Sequence, residues 1–208
     1  MTEKQIKELN CLEIEYQNKP NLMARTYNNS RCAVVILDMV AGFCQKGALA
    51  SPRIKSLIDR IAGALDYLPN AIKFFVNDVH TPDSLEFADY PPHCHTPEEQ
   101  KIVPDIARHK GVIIEKDSTN GIFNFLKYAD VNLYDNYIIM GDCTDICVMQ
   151  FALSLRAYFN EIRKTGNVLV FTEYVDTYDA PMHNAELMNV FAFKNMEQSG
   201  VRIFKGLV

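Results

Sequence analysis

Short apolar runs recur along the chain, separated by stretches of helical character, and this alternation limits the fold more than any other feature. The runs are Cys32–Leu37, Ile72–Val76, Val112–Ile114, Tyr137–Met140, Val168–Phe171 and Val201–Phe204. The first is unbroken, as a strand buried on both faces of a parallel sheet requires. Between the runs, Ser51-Pro52 opens a predicted helix with serine as N-cap and proline at the first position. Ile54, Leu57, Ile58, Ile61, Ala62 and Leu65 follow at helical spacing. Further helices are expected over Pro97–Arg108, Gly121–Tyr128, from about residue 145 to 160, and over Asn184–Gln198. Strands alternating with helices predict an α/β chain: a three-layer Rossmann-like fold, with a mostly parallel sheet of about six strands flanked by helices.

At 208 residues the chain has room for one substantial core. Residues 1–30 are polar and mixed and read as an N-terminal extension to a domain spanning 31–208. Within the extension, Ile6, Leu9, Leu12 and Tyr16 fall on one face of a predicted short helix, and Asn18–Ser30 has loop composition. The net charge is −5 with lysine and arginine scattered, which argues against a nucleic-acid partner. No apolar run approaches membrane-spanning length, and Met1-Thr2-Glu3-Lys4 lacks a signal peptide's apolar region, so a cytoplasmic location is expected. Cys11, Cys32, Cys44, Cys94, Cys143 and Cys147 are accordingly expected to be mostly free thiols.

Open parallel sheets bind ligands beyond the carboxyl ends of their strands. Four predicted strands end in groups that chemistry can use: Asp38, Asp78 with His80, Lys116, and the turn Gly141–Val148 carrying Cys147. Cys147 falls in the first turn of a predicted helix, where unpaired N–H groups and the helix dipole favour thiolate. The same N–H groups could hold an oxyanion. Plainer readings stand beside these: Cys147 as a small core residue, Asp38 and Lys116 as a salt bridge, Cys143 and Cys147 as a zinc or redox pair. Taken together, Asp38, Lys116 and Cys147 make a coherent set, a carboxylate to take the thiol proton and a lysine to stabilise both anions. Asp78-x-His80 puts two ligands on one side of an extended segment. Glu86 and His93, from the long loop Thr81–Pro97, would complete a mixed oxygen–nitrogen set suited to zinc, iron or manganese.

From Ala33 onward these motifs, in this order, resemble the nicotinamidase branch of the isochorismatase-like cysteine hydrolases. Leu37-Asp38-Met39 with Phe43-Cys44, Asp78-Val79-His80, Tyr90-Pro91-Pro92-His93-Cys94, Lys116 and the turn Gly141–Val148 carry the resemblance. It implies an amidohydrolase of NAD salvage that converts nicotinamide to nicotinate and ammonia through a thioester on Cys147. Asp38 and Lys116 would complete the catalytic set, and backbone N–H groups of Cys143 and Cys147 the oxyanion hole. A cis peptide would precede Cys143. One divalent metal ion, zinc ahead of iron or manganese, would sit on Asp78, His80, His93 and Glu86, with Asp83 and Asp89 as rivals to Glu86. Phe43 and Tyr90 would contact the substrate. Similar proteins are often homo-oligomers. Two family tryptophans are replaced by Val79 and Tyr90, since the chain has no tryptophan. The main rival within the family is a hydrolase of another amide or ureido compound.

Overall fold

The computed structural model describes residues 2–208; Met1, the first residue of the expected extension, lies outside them. Six strands form one sheet: β1 (Cys32–Leu37), β2 (Ile72–Asp78), β3 (Val112–Lys116), β4 (Asn136–Gly141), β5 (Asn167–Val175) and β6 (Arg202–Phe204). Their order is β3-β2-β1-β4-β5-β6 and every neighbouring pair is parallel. The helices are α1 (Glu3–Gln17), α2 (Ala41–Cys44), α3 (Pro52–Lys55), α4 (Leu57–Asp66), α5 (Pro104–Ala107), α6 (Ile122–Tyr128), α7 (Met149–Glu161) and α8 (Ala185–Gln198). Among the described residues, no helix is long and apolar enough to cross a membrane.

The unbroken apolar run in β1 explains the three layers. Ala33, Val35 and Leu37 share a core with Phe125 of α6, Phe151 and Leu155 of α7, and Phe193 of α8. Cys32, Val34 and Ile36 share another with Leu57, Ile61 and Leu65 of α4 and Ile106 of α5. Burying each valine, leucine or isoleucine of this strand contributes about 1.5–3 kcal/mol. Strand order changes direction between β1 and β4, and the carboxyl ends of those strands flank the crevice where such sheets bind ligands.

The N-terminal segment is firmly attached. Tyr16 packs on Phe193 of α8 with ring centres 5.3 Å apart, and its hydroxyl donates to Glu197 at 3.1 Å. Lys19 reaches the same carboxylate at 2.6 Å. The chain then runs beside its own C-terminal residues: Lys205 N–H donates to Pro20 O at 3.0 Å and Ala24 N–H to Val208 O at 2.8 Å. Only the C-terminal half of α1 is docked, for Ile6, expected on the buried face, is 47 % exposed.

Two expectations are corrected. The helix anticipated over Pro97–Arg108 is confined to α5, because the preceding carbonyls serve the loop after β1. Lys101 O accepts from Ala41 N–H at 2.8 Å and Glu99 O from Gly42 N–H at 2.9 Å. The helix anticipated from Ser51-Pro52 is interrupted at Ser56, giving α3 and α4, and the Ser51 side chain makes no capping bond. At the sheet's outer margin, the Asn124 amide of α6 donates to Glu115 O of β3 at 2.6 Å.

Candidate active site

Four strand ends converge on one buried cluster. Gly141 ends β4 with φ +113°, and a Cβ there would stand 2.0 Å from Leu37 O. Only glycine allows that approach. Asp142 N–H donates to the same carbonyl at 3.2 Å, which fastens the cysteine-bearing turn against the end of β1. Asp38, the next residue, has φ +58°, a left-handed conformation that aspartate tolerates better than most side chains. Its Oδ1 accepts from Asp78 N–H at 2.8 Å.

Lys116, 2 % exposed, unites these groups. Its Nζ lies 3.0 Å from Asp38 Oδ2 and 4.0 Å from Cys147 Sγ, and it also donates to Asp78. Burial and the nearby Asp78 carboxylate push the Asp38 carboxyl up to about 6, against the pull of Lys116. Burial alone would lower the lysine, but Asp38, Asp78 and Cys147 outweigh it and hold the ammonium well above its ordinary value. Burial raises the Cys147 thiol strongly, and Lys116 only opposes this. Burial thus works against the helix-dipole effect expected to favour a thiolate, and a base beside the thiol would offset it. Cys147 occupies a single turn of π-helix, Thr144–Val148, ahead of α7. π-turns of this kind are frequent at functional sites. The Asp142–Cys143 peptide is cis, and Cys143 N–H has no acceptor among the described residues.

Asp78, His80 and His93 each offer a ligand atom, all within 4.8 Å of one another. The hydrogen bonds behind the two rings matter as much. His80 Nδ1 faces Asp117 Oδ1 at 2.5 Å, and His93 Nδ1 faces Pro91 O at 2.9 Å. With Nδ1 protonated toward those acceptors, both Nε2 lone pairs point at each other across 3.2 Å. Two facing lone pairs beside a carboxylate make a donor set that fits a divalent cation, with an outer carboxylate orienting the imidazole. Glu86 stands at the margin: Oε2 is 3.8 Å from His80 Nε2, while Oε1 accepts from Thr119 N–H at 2.5 Å. Asp83 accepts from the Thr81 hydroxyl, and Asp89 lines the adjoining cavity.

That cavity has a volume of about 530 Å³ and is lined by Phe43, Tyr90, His93, Cys143 and Cys147 among others. Asp78, Glu86 and Asp89 line it too, Lys116 and His80 reach its walls at Cys147 and Asp78, and Asp38 pairs with Lys116 behind them, while Asp83 is not on its lining. Asp117, Thr119, Asp142 and Tyr178 were not anticipated. Asp117 carried a faint signal, an acid directly after a strand-end lysine. Asp142 is 1 % exposed, and burial together with Asp38 pushes its carboxyl well up.

A family model described as the Isochorismatase domain matches residues 32–201. The chain belongs to the isochorismatase family. Nicotinamidase 1 of Arabidopsis thaliana is 28% identical over 184 residues, covering 76% of this chain and 74% of that one. The zinc-complexed pyrazinamidase of Pyrococcus horikoshii superposes with a TM-score of 0.68 at 21% identity, over 84% of this chain and 99% of the other. N-carbamoylsarcosine amidase of Thermoplasma acidophilum gives 0.68 at 20% identity, over 84% and 96%. Family membership bears out the expected parallel α/β fold of the isochorismatase-like type. Together with the nicotinamidase relative, it supports the amidohydrolase class.

Proposed function

We propose that this isochorismatase-family protein is a metal-containing nicotinamidase, hydrolysing nicotinamide to nicotinate and ammonia for NAD salvage. The observation that carries the reading is Lys116 within reach of both Asp38 and Cys147, beside the Asp78–His80–His93 trio. Asp38 takes the Cys147 proton, and its raised affinity for protons suits that task. The sulfur attacks the carboxamide carbon, and the N–H groups of Cys143 and Cys147 receive the oxyanion. Collapse of the tetrahedral adduct expels ammonia, which leaves with the proton from Asp38. Water, deprotonated by Asp38, then cleaves the thioester and returns the thiol to Cys147. Lys116 balances the anions throughout. Asp78, His80, His93 and Glu86 would hold one divalent ion, preferably zinc, which supplies a Lewis-acid contact for a pyridine nitrogen and so fixes the ring's orientation.

The charge of the cavity favours this substrate over ureido acids. Asp78, Glu86, Asp89 and Asp179 line it, and among the described residues no lysine or arginine does. Apart from the proposed ion, which the pyridine nitrogen would engage, a substrate carboxylate would find no cationic side chain on the cavity wall and would carry a desolvation cost; a neutral carboxamide meets no such penalty. Purified protein should release ammonia from nicotinamide and pyrazinamide and not from N-carbamoyl amino acids. Cys147→Ala should lose at least about 10³-fold in kcat, as removal of a covalent nucleophile does. Normal turnover by that variant would refute the thioester route, and preference for the carbamoyl acids would refute the substrate.

A further inference from the structure

Tyr178 lines the same cavity as Cys143 and Cys147, yet it comes from the loop after β5, where no motif pointed. A tyrosine on a loop ordinarily swings freely. This one is held in three ways. The His183 ring lies parallel to it, centres 3.8 Å apart and planes within 6°. His183 Nδ1 bonds to Tyr178 O at 3.0 Å, and its Nε2 meets Asp145 Oδ2 at 2.9 Å. Reciprocal backbone bonds between Ala180 and His183, at 3.0 and 2.9 Å, close the loop that brings the two rings together. Asp145 belongs to the π-turn that carries Cys147. The plane of the Tyr178 ring is thus set relative to the nucleophile's own turn. The other aromatics of the cavity, Phe43 and Tyr90, pack around His93, at 5.5 and 6.1 Å between ring centres, and neither is fixed to the nucleophile's turn by a ring stack of this kind. Burial, Asp145 and Cys143 all raise the Tyr178 hydroxyl, which keeps the ring neutral.

We propose that Tyr178 is a specificity-determining residue, a rigid flat wall on the nucleophile side of the cavity that selects planar aromatic amides, and that His183 is its positioning residue. The proposal rests on the amide-hydrolase reading above. A ring stacked or set edge-on against such a wall gains about 0.5–1.5 kcal/mol beyond its buried area, up to roughly ten-fold in binding. A puckered ring gains little of this.

The test compares KM for nicotinamide with the inhibition constant of cyclohexanecarboxamide in wild type, Tyr178→Ala, Tyr178→Phe and His183→Ala. Tyr178→Ala should raise KM about ten-fold, with kcat within about three-fold and the cyclohexanecarboxamide constant nearly unchanged. Tyr178→Phe should restore the wild-type KM, and His183→Ala should fall between. Nicotinamide titrated calorimetrically into Cys147→Ala, with and without Tyr178→Ala, reads binding apart from chemistry and should show the same weakening. Unchanged KM and binding in Tyr178→Ala, or equal weakening of the planar and the puckered amide, would overturn the wall. Wild-type protein that releases no ammonia from nicotinamide would instead overturn the underlying reading.

Discussion

At the scale of single residues, the site depends on what stands behind each functional atom. His80 is aimed by Asp117 at 2.5 Å, so Asp117→Ala should leave the ligands in place and still weaken zinc about 10–100-fold in competition with a chelating dye. Unaltered zinc affinity would mean that the packed ring needs no such partner. Cys143 contributes a backbone N–H in the proposed chemistry, so Cys143→Ala should keep kcat within about ten-fold of wild type, far above the loss expected at Cys147. A collapse as deep as that of Cys147→Ala would give the Cys143 thiol a role of its own. Cys147 also marks where one-dimensional reasoning runs out. Position at a turn before a helix points to a thiolate, but burial and the carboxylates Asp38 and Asp78, which come from other strand ends, oppose it.

At the scale of elements, strand ends were legible and loops were not. An apolar run followed by a polar residue locates Asp38, Asp78 and Lys116 without a structure, because strand period and burial are local properties. The segment before α5 has helical composition and still forms no helix, since its carbonyls are claimed by the loop after β1. Tyr178 and His183 meet only through a turn whose geometry no spacing encodes. The docking of α1 has the same tertiary origin. Burial alone would raise the Glu197 carboxyl, but the hydrogen bonds from Lys19 and Tyr16 prevail and hold it below its ordinary 4.5. A depressed carboxylate contributes its full stability above the unfolded value and loses it as pH falls through the lower folded value. Protection factors for the amides of α1 should therefore fall below about pH 4.5 before those of the sheet, and Glu197→Gln should lower them at neutral pH. Exchange in α1 that tracks the sheet at every pH would show that helix and sheet open as one unit.

At the scale of the whole molecule, the ion site and the fold share their stability. Asp78 and His80 belong to β2 and its extension, while His93 lies on the following loop. An ion that binds only the folded chain stabilises it by about 2.7 kcal/mol at a hundred times its dissociation constant. For a chain of this size, that is a rise in Tm of roughly 5–10 °C. Zinc added to chelator-treated protein should produce the rise, and His93→Ala should abolish most of it. Equal melting with and without zinc would remove the ion from the folding balance. The parallel sheet and its strand count were readable from alternation alone, whereas the order of strands was not, because crossovers leave no mark in local composition.

The small hydrogen bond from Asn124 to Glu115 O bears on how this molecule lives among its copies. A sheet's outer strands offer unpaired backbone to any stranger, and β3, with Val112 and Ile113 exposed, is the more inviting of the two. The Asn124 amide occupies an acceptor that an incoming strand would need. At the opposite margin, β6 has only three residues to offer. The all-parallel sheet thus presents borders narrowed by one side chain on β3 and by the shortness of β6.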